Sequence, residues 1–321
     1  MKLFTQIPVN MTKKAEVGIK AIGVGDTGSA EKMEREGRSR EDIWNETGWY
    51  RGVDGKWRFE IDDGKSKLRL GLFSKYKFST SPNIRRSFEG RLGDVLVHPH
   101  IFNAYPELRD WKVDISFDVG PDTWGYVDHH TGLVGRASGL TDPATMSIRV
   151  SSGLGVEPTI RTLIHEMQHV IQEIEDFSQG GNPGNFRRDR NIPLSESTRE
   201  NIKSIDEEIA DLKKEEDSIS EYFRALPDSK KGVGKNVDET RRMNTLRYRI
   251  QELKDKKQCV QKTDKKKYCF DKYLSLPGEM EARLVQRRLD MNRKQRKDEP
   301  PWVTMDKMLQ DENISPTGKT T

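Results

Sequence analysis

The sequence predicts an α+β protein in which a mostly antiparallel sheet supports one strongly amphipathic helix and a long helical hairpin interrupts the domain. Three patterns carry this. Short alternating segments broken by turn residues run up to Ser151, apolar residues recur at three and four between Pro158 and Phe177, and heptad spacing extends from Ile202 to Val260.

With 321 residues the chain is long enough for one large domain or two modest ones, and 33% hydrophobic against 34% charged residues puts part of it in solvated helix or tail. A net charge of +4 gives little reason to expect a nucleic-acid or membrane partner. The stretch from Lys254 to Lys297, with Lys265, Lys266, Lys267, Arg288 and Arg296 among its cations, suggests a basic surface patch. A solvated helix face is the simpler reading, which leaves nucleic acid weakly supported. Cys259 and Cys269 lie in a helical stretch and suit neither a disulfide framework nor a thiolate zinc site. The start at Met1-Lys2-Leu3 is too polar for a signal peptide and no apolar run reaches membrane-spanning length, so a soluble, cytoplasmic protein is expected.

Residues 1–38 show no clear period and read as an arm ordered by what it packs against. Ser39 followed by Asp42 forms a helix-start pattern, and Gly48 stops a short helix over 40–47. Alternating aromatics on either side of Asp54-Gly55 then predict a hairpin of Trp49–Arg51 and Trp57–Ile61. Further strands are expected at 67–73, 112–119, 125–127 and 144–151, with a helix near Ile101 to Tyr105. From Pro158 to Phe177 the apolar set Ile160, Leu163, Ile164, Met167, Val170, Ile171 and Ile174 predicts a helix stopped by Gly180-Gly181.

Ile202, Ile205, Ile209, Leu212, Ile219, Phe223 and Leu226 fall on a and d heptad positions with Glu216 as the break. Met243, Leu246, Ile250, Leu253 and Val260 repeat the pattern with Lys257 as the break. Pro227 and the 232–234 glycine loop separate the two, predicting an antiparallel coiled-coil hairpin about 40 Å long. The expected organisation is an arm (1–38), a sheet-and-helix domain (39–194), the inserted hairpin (195–266), a helix completing the site (267–298) and a tail (299–321).

The chemistry resides in His165-Glu166-Met167-Gln168-His169, an H-E-x-x-H motif inside the amphipathic helix. Residues four apart share a helix face, so His165 and His169 can reach one Zn2+ while Glu166 leans over a coordinated water as general base. Two histidines capping the polar edge of a core helix are the structural alternative. A catalytic zinc needs a third protein ligand, and no histidine follows His169, so a carboxylate is required. Glu173 and Glu175 are too close on the same helix, which directs attention to Tyr273-Leu274-Ser275-Leu276-Pro277-Gly278-Glu279-Met280-Glu281-Ala282-Arg283, where Pro277-Gly278 opens a second helix.

That segment resembles the second motif of gluzincin metallopeptidases, Glu-x-x-Ala followed by a charged residue, in which the first glutamate binds zinc. The correspondence implies Glu279; a one-turn shift would exchange it with Glu281. More broadly, Glu46-Thr47-Gly48-Trp49, Gly55 to Ile61, Leu92-Gly93-Asp94-Val95-Leu96, Leu163 to Phe177, Gly180-Gly181-Asn182-Pro183 and Gly278 to Arg283 resemble the minimal-gluzincin domains of large polyvalent proteins of phages and mobile elements. The likeness covers most of residues 40–290 outside the hairpin, from which the compact family pattern departs. It implies a zincin-like fold, a peptide or protein substrate, and a host-cytoplasmic or virion-associated location.

The strand Thr145–Val150 is expected to be the edge along which substrate pairs, and Tyr273 and Arg283 are candidate oxyanion donors. His98, His100, His129 and His130 read as loop or turn residues. The hairpin is expected to clamp the site helices or to dock a phage or virion protein. The reading from another class is an assembly component that keeps the scaffold for structure, using the hairpin and basic segment to contact protein or nucleic acid.

Overall fold

The computed structural model describes residues 15–61, 66–69, 71, 87–116, 125–127, 134–136, 139–151, 156–187, 191–227 and 236–312. The chain divides into two compact units, Met1–Asn182 with Tyr273–Thr321 and Pro183–Lys272. No helix among the described residues is long and apolar enough to cross a membrane.

The first unit begins with strand β1 (Ala15–Val17), helices α1 (Gly28–Arg35) and α2 (Arg40–Thr47), and strands β2 (Trp49–Arg51) and β3 (Trp57–Ile61). Ser39 Oγ accepts from Asp42 N at 3.0 Å to start α2, and Gly48 ends it at φ 78°. A Cβ on Gly48 would stand 2.6 Å from the Phe59 ring, so the left-handed turn and the close approach both demand glycine. The expected hairpin is present, with Tyr50 opposite Arg58 in antiparallel register. Within residues 15–35, β1 pairs with β3, and Ala30 and Met33 of α1 are buried with Ile43, Trp49 and Trp57. These contacts are non-local, so no period along residues 15–35 reveals them.

Next come β4 (Lys67–Leu68), β5 (Ser87–Arg91), α3 (Leu92–Val95), β6 (Leu96–Val97), α4 (Pro99–Ala104), β7 (Lys112–Ser116), β8 (Gly125–Val127), β9 (Val134–Arg136), β10 (Gly139–Asp142) and β11 (Ser147–Ser151). The main sheet has the order β10-β11-β7-β5, antiparallel except for the β11–β7 pair. The expectation that residues 145–150 form the sheet edge is therefore corrected. Asp142 Oδ1 accepts from Ala144 N at 3.0 Å, a 3-10 turn follows at Pro143–Thr145, and β11 lies inside the sheet with β10 as its edge. Residues 117–119 and the Asp128–Gly132 turn with His129 and His130 lie outside the described residues.

Helix α5 (Val156–Ile174) packs Leu163, Ile164, Met167, Val170 and Ile171, all fully buried, into a core shared with Val113, Ile115, Ile148 and Val150. At about 1.5–3 kcal/mol per buried side chain, this face alone explains why the helix is fixed on the sheet.

The second unit holds α6 (Glu196–Ala225) and most of α7 (Val237–Leu274). The helices run antiparallel, since Arg242, Arg249 and Lys257 pair with Glu215, Glu208 and Asp206 in descending order. Ile205, Ile209, Ile250 and Leu253 form the buried seam. Both heptad breaks find partners: Glu216 meets Arg247 at 2.6 Å, and Lys257 meets Asp206 at 2.6 Å. The glycine loop at 232–234 lies outside the described residues.

The first unit closes with α8 (Pro277–Arg288), α9 (Arg293–Asp298) and α10 (Pro301–Asp311). The segment expected as a tail is thus helical, because Met305, Met308 and Leu309 bury against Met280 and Leu284 of α8. The basic patch also loses two members. Arg288 and Arg296 are buried, both bonded to Glu60 Oε1, at 2.8 and 2.9 Å.

Candidate metal centre

Helix α5 places His165 and His169 one turn apart with their Nε2 atoms 3.3 Å from one another. Glu279, in the first turn of α8, sets Oε2 3.6 Å from His165 Nε2 and Oε1 3.4 Å from His169 Nε2. Donors about 2.0–2.1 Å from a common centre at tetrahedral angles stand about 3.3–3.4 Å apart. The two imidazole nitrogens stand at that spacing, one carboxylate oxygen lies towards each histidine, and one ligand atom from each of the three residues falls within 4.8 Å of the other two. Two neutral imidazoles and a carboxylate are also the donor types zinc prefers in a site with an open fourth position. Among the described residues, Glu279 Oε2 and His165 Nδ1 are buried without a hydrogen-bond partner, the state expected of an atom with a ligand still to meet. The residues present therefore fit the ion.

The orientation of His169 follows from its neighbours. Gln172, fully buried, donates from Nε2 to the Gly278 carbonyl at 2.8 Å, which leaves Oε1 as the acceptor 2.9 Å from His169 Nδ1. Nδ1 then carries the hydrogen and Nε2 keeps its lone pair for the centre. The expectation that Gly180-Gly181 stops the helix is corrected: α5 ends at Ile174 with Asp176 in the left-handed region at φ 56°, and the two glycines lie beyond it, over the carboxylate. Gly181 N donates to Glu279 Oε1 at 3.0 Å, and a Cβ on Gly180 would stand 2.3 Å from the same oxygen and 2.7 Å from His169 Cε1. Only glycine lets this loop close over the carboxylate.

Burial opposes charge on His169, but the Glu279 carboxylate beside it overrides that and lifts the imidazole to about 9. For Glu279, burial raises the pKa, yet the two imidazoles more than offset this and hold it below the usual carboxylate range. Burial, with Glu279 and Glu166 nearby, pushes the Tyr273 hydroxyl above the usual phenol range, so it is a neutral donor near Glu279.

Glu166 is held by the edge strand. Thr141 Oγ1 donates to Glu166 Oε2 at 2.8 Å, and a Cβ on Gly139 would stand 2.3 Å from Glu166 Oε1. Glu281 is not at the centre; Arg58 Nε and Nη2 bind its two oxygens at 3.0 and 2.9 Å, and Gln168 Nε2 donates to it at 2.9 Å. Between the two carboxylates the geometry thus brings Glu279, and not Glu281, to the histidines. Arg283 pairs with Glu312 and donates to the Leu274 carbonyl at 3.4 Å. His98 caps α4 by accepting from Ile101 N at 3.2 Å, and Glu175 accepts from Lys20 N at 3.0 Å and from the Tyr105 hydroxyl at 2.5 Å.

Gln172, Thr141 and Gly180 lie against His169, Glu166 and Glu279, and none of these contacts is evident from the motif. Gln172, one turn beyond His169, was the one with a signal in the sequence, since a polar side chain on that face has a reason to be there.

Residues 25–69 match the family model of large polyvalent protein associated domain 23, in keeping with the context suggested by the sequence. No curated protein and no solved structure matches the chain.

Proposed function

We propose that the chain is a zinc-dependent peptidase of the gluzincin type, with a zincin-like fold, encoded by a phage or mobile element. The observation that carries this is the convergence of His165, His169 and Glu279, whose ligand atoms lie within 4.8 Å of one another with the two Nε2 atoms 3.3 Å apart, on the helix that also carries the buried Glu166. Zinc held there would lower the pKa of a bound water towards neutrality and polarise a peptide carbonyl. His165, His169 and Glu279 would hold it. Glu166, kept in place by Thr141, would take the proton of the attacking water and deliver it to the leaving amine.

Tyr273, neutral across the working range, would donate to the developing oxyanion. Among the described residues no strand pairs with the outer side of β10, which lies beside Glu166 and on which an extended peptide would add as a further strand. The antiparallel helices of the second unit would serve a phage or virion protein partner, with Tyr248 at 74% exposure as the first residue to probe. A glutamate poised at the histidines favours catalysis over a scaffold role, since a structural zinc has no use for a base.

The test is Glu166→Gln. Proteolysis of an unfolded protein substrate lost with zinc content unchanged supports the peptidase reading, and activity equal to that of the parent overturns it.

A further inference from the structure

Arg58 is fully buried on β3, far from the H-E-x-x-H motif in sequence, and its guanidinium joins the two segments that enclose Glu279. One side reaches α8: Nε and Nη2 bind the two oxygens of Glu281, two residues beyond Glu279, at 3.0 and 2.9 Å. The other reaches the loop after α5: Nη2 also binds Asp54 Oδ2 at 2.9 Å, and that oxygen accepts from Ser178 N at 2.9 Å. The same loop continues to Gly181, whose N–H donates to Glu279 Oε1 at 3.0 Å. Gln168 adds a tie from α5, donating to Glu281 Oε1 at 2.9 Å. The guanidinium lies 3.1 Å from the centroid of the Phe177 ring, and a Cβ on Gly52 would stand 3.0 Å from its Cζ, so packing holds the group whose Nε and Nη2 make these bonds, while its buried Nη1 makes none.

We propose that Arg58 is a positioning residue of the metal centre, which fixes α8 and the 178–181 loop relative to one another and thereby sets where Glu279 meets the histidines. The planar fork is what the task requires, since a single point charge cannot hold a carboxylate in two-point contact and bind a second one as well. Asp54 and Arg58 lie inside the 25–69 segment that matches the large polyvalent protein associated domain, so that segment is part of the site's frame rather than a separate module. The assignment rests on the metal-centre reading above.

The experiment uses the full chain as the parent, Arg58→Met, Asp54→Asn and the paired Arg58→Met/Glu281→Met variant. Zinc dissociation constants are measured by competition with a chromophoric chelator, the visible spectrum is recorded after cobalt loading, and folding is checked by circular dichroism. Removing both members of a buried ion pair spares the fold more than removing one. The paired variant, in which Asp54 keeps its backbone donors Lys56 N and Ser178 N, is therefore expected to melt closer to the parent than Arg58→Met does, yet to bind zinc about tenfold or more weakly, with an altered cobalt spectrum. Asp54→Asn is expected to weaken zinc in the same direction while folded. Folded paired and Asp54→Asn variants that bind zinc as tightly as the parent, with an unchanged cobalt spectrum, would overturn the role of Arg58 alone. A parent that binds no zinc would sink the metal-centre reading and this assignment with it.

Discussion

Gln172 and Gly278 are joined by a 2.8 Å hydrogen bond that ties the motif helix to the first turn of the glutamate helix, one residue before Glu279. Because the same side chain accepts from His169 Nδ1, one residue fixes both an imidazole and the backbone that delivers the carboxylate. Gln172→Leu is expected to leave the fold intact and weaken zinc about 10–100-fold, measured by chelator competition. An unchanged dissociation constant would show that His169 is oriented by something else.

Gly180 is expected to tolerate no side chain. A Cβ there meets Glu279 Oε1 at 2.3 Å, and its backbone is not in the left-handed region, so the cost of Gly180→Ala is steric. Loss of zinc stoichiometry with about 1–3 kcal/mol of destabilisation in urea is the expected outcome. Full zinc content in this variant would mean that the loop stands further from the carboxylate.

The pH dependence follows from His169. Its pKa in the folded chain is raised from 6.5 to about 9, so its ionised pairing with Glu279 stabilises the metal-free protein fully below about 6.5 and is lost as pH rises through about 9. The melting temperature of the metal-free chain should fall across that window, and Glu279→Gln should flatten the fall. Zinc must displace the same proton, so apparent affinity should rise about tenfold per pH unit over the window. Titration of zinc binding at several pH values, with proton release followed by a dye, checks both.

Glu60 carries the two buried guanidiniums of Arg288 and Arg296. Glu60→Ala leaves both without that carboxylate in a dry interior and should cost about 3–5 kcal/mol in chemical denaturation. A loss under 1 kcal/mol would show that the other partners of these arginines suffice.

Features with a local cause were legible in the sequence. Ser39 and Gly48 bound a helix that the structure reproduces to the residue, the Asp54-Gly55 turn set a hairpin in the right register, and three-and-four spacing located α5 with both histidines on it. The heptad breaks Glu216 and Lys257 were visible as breaks, though their ion-pair partners were not, because partners depend on how far one helix slides along the other. What stayed hidden depends on distant contacts. Strand β1 exists because β3 lies beside it, α10 because α8 offers Met280 and Leu284, and β11 is interior because β10 folds onto it. The buried state of Arg288 and Arg296 was hidden for the same reason, since a basic stretch reads as solvated until Glu60 is brought to it from more than 200 residues away.

The most direct test is metal content per folded chain by elemental analysis of the parent beside His165→Ala and Glu279→Ala. One zinc per parent chain, with both variants folded and depleted, is required if two imidazoles and Glu279 hold a single ion. A parent that purifies and dialyses without zinc, or variants that retain as much as the parent, would contradict it.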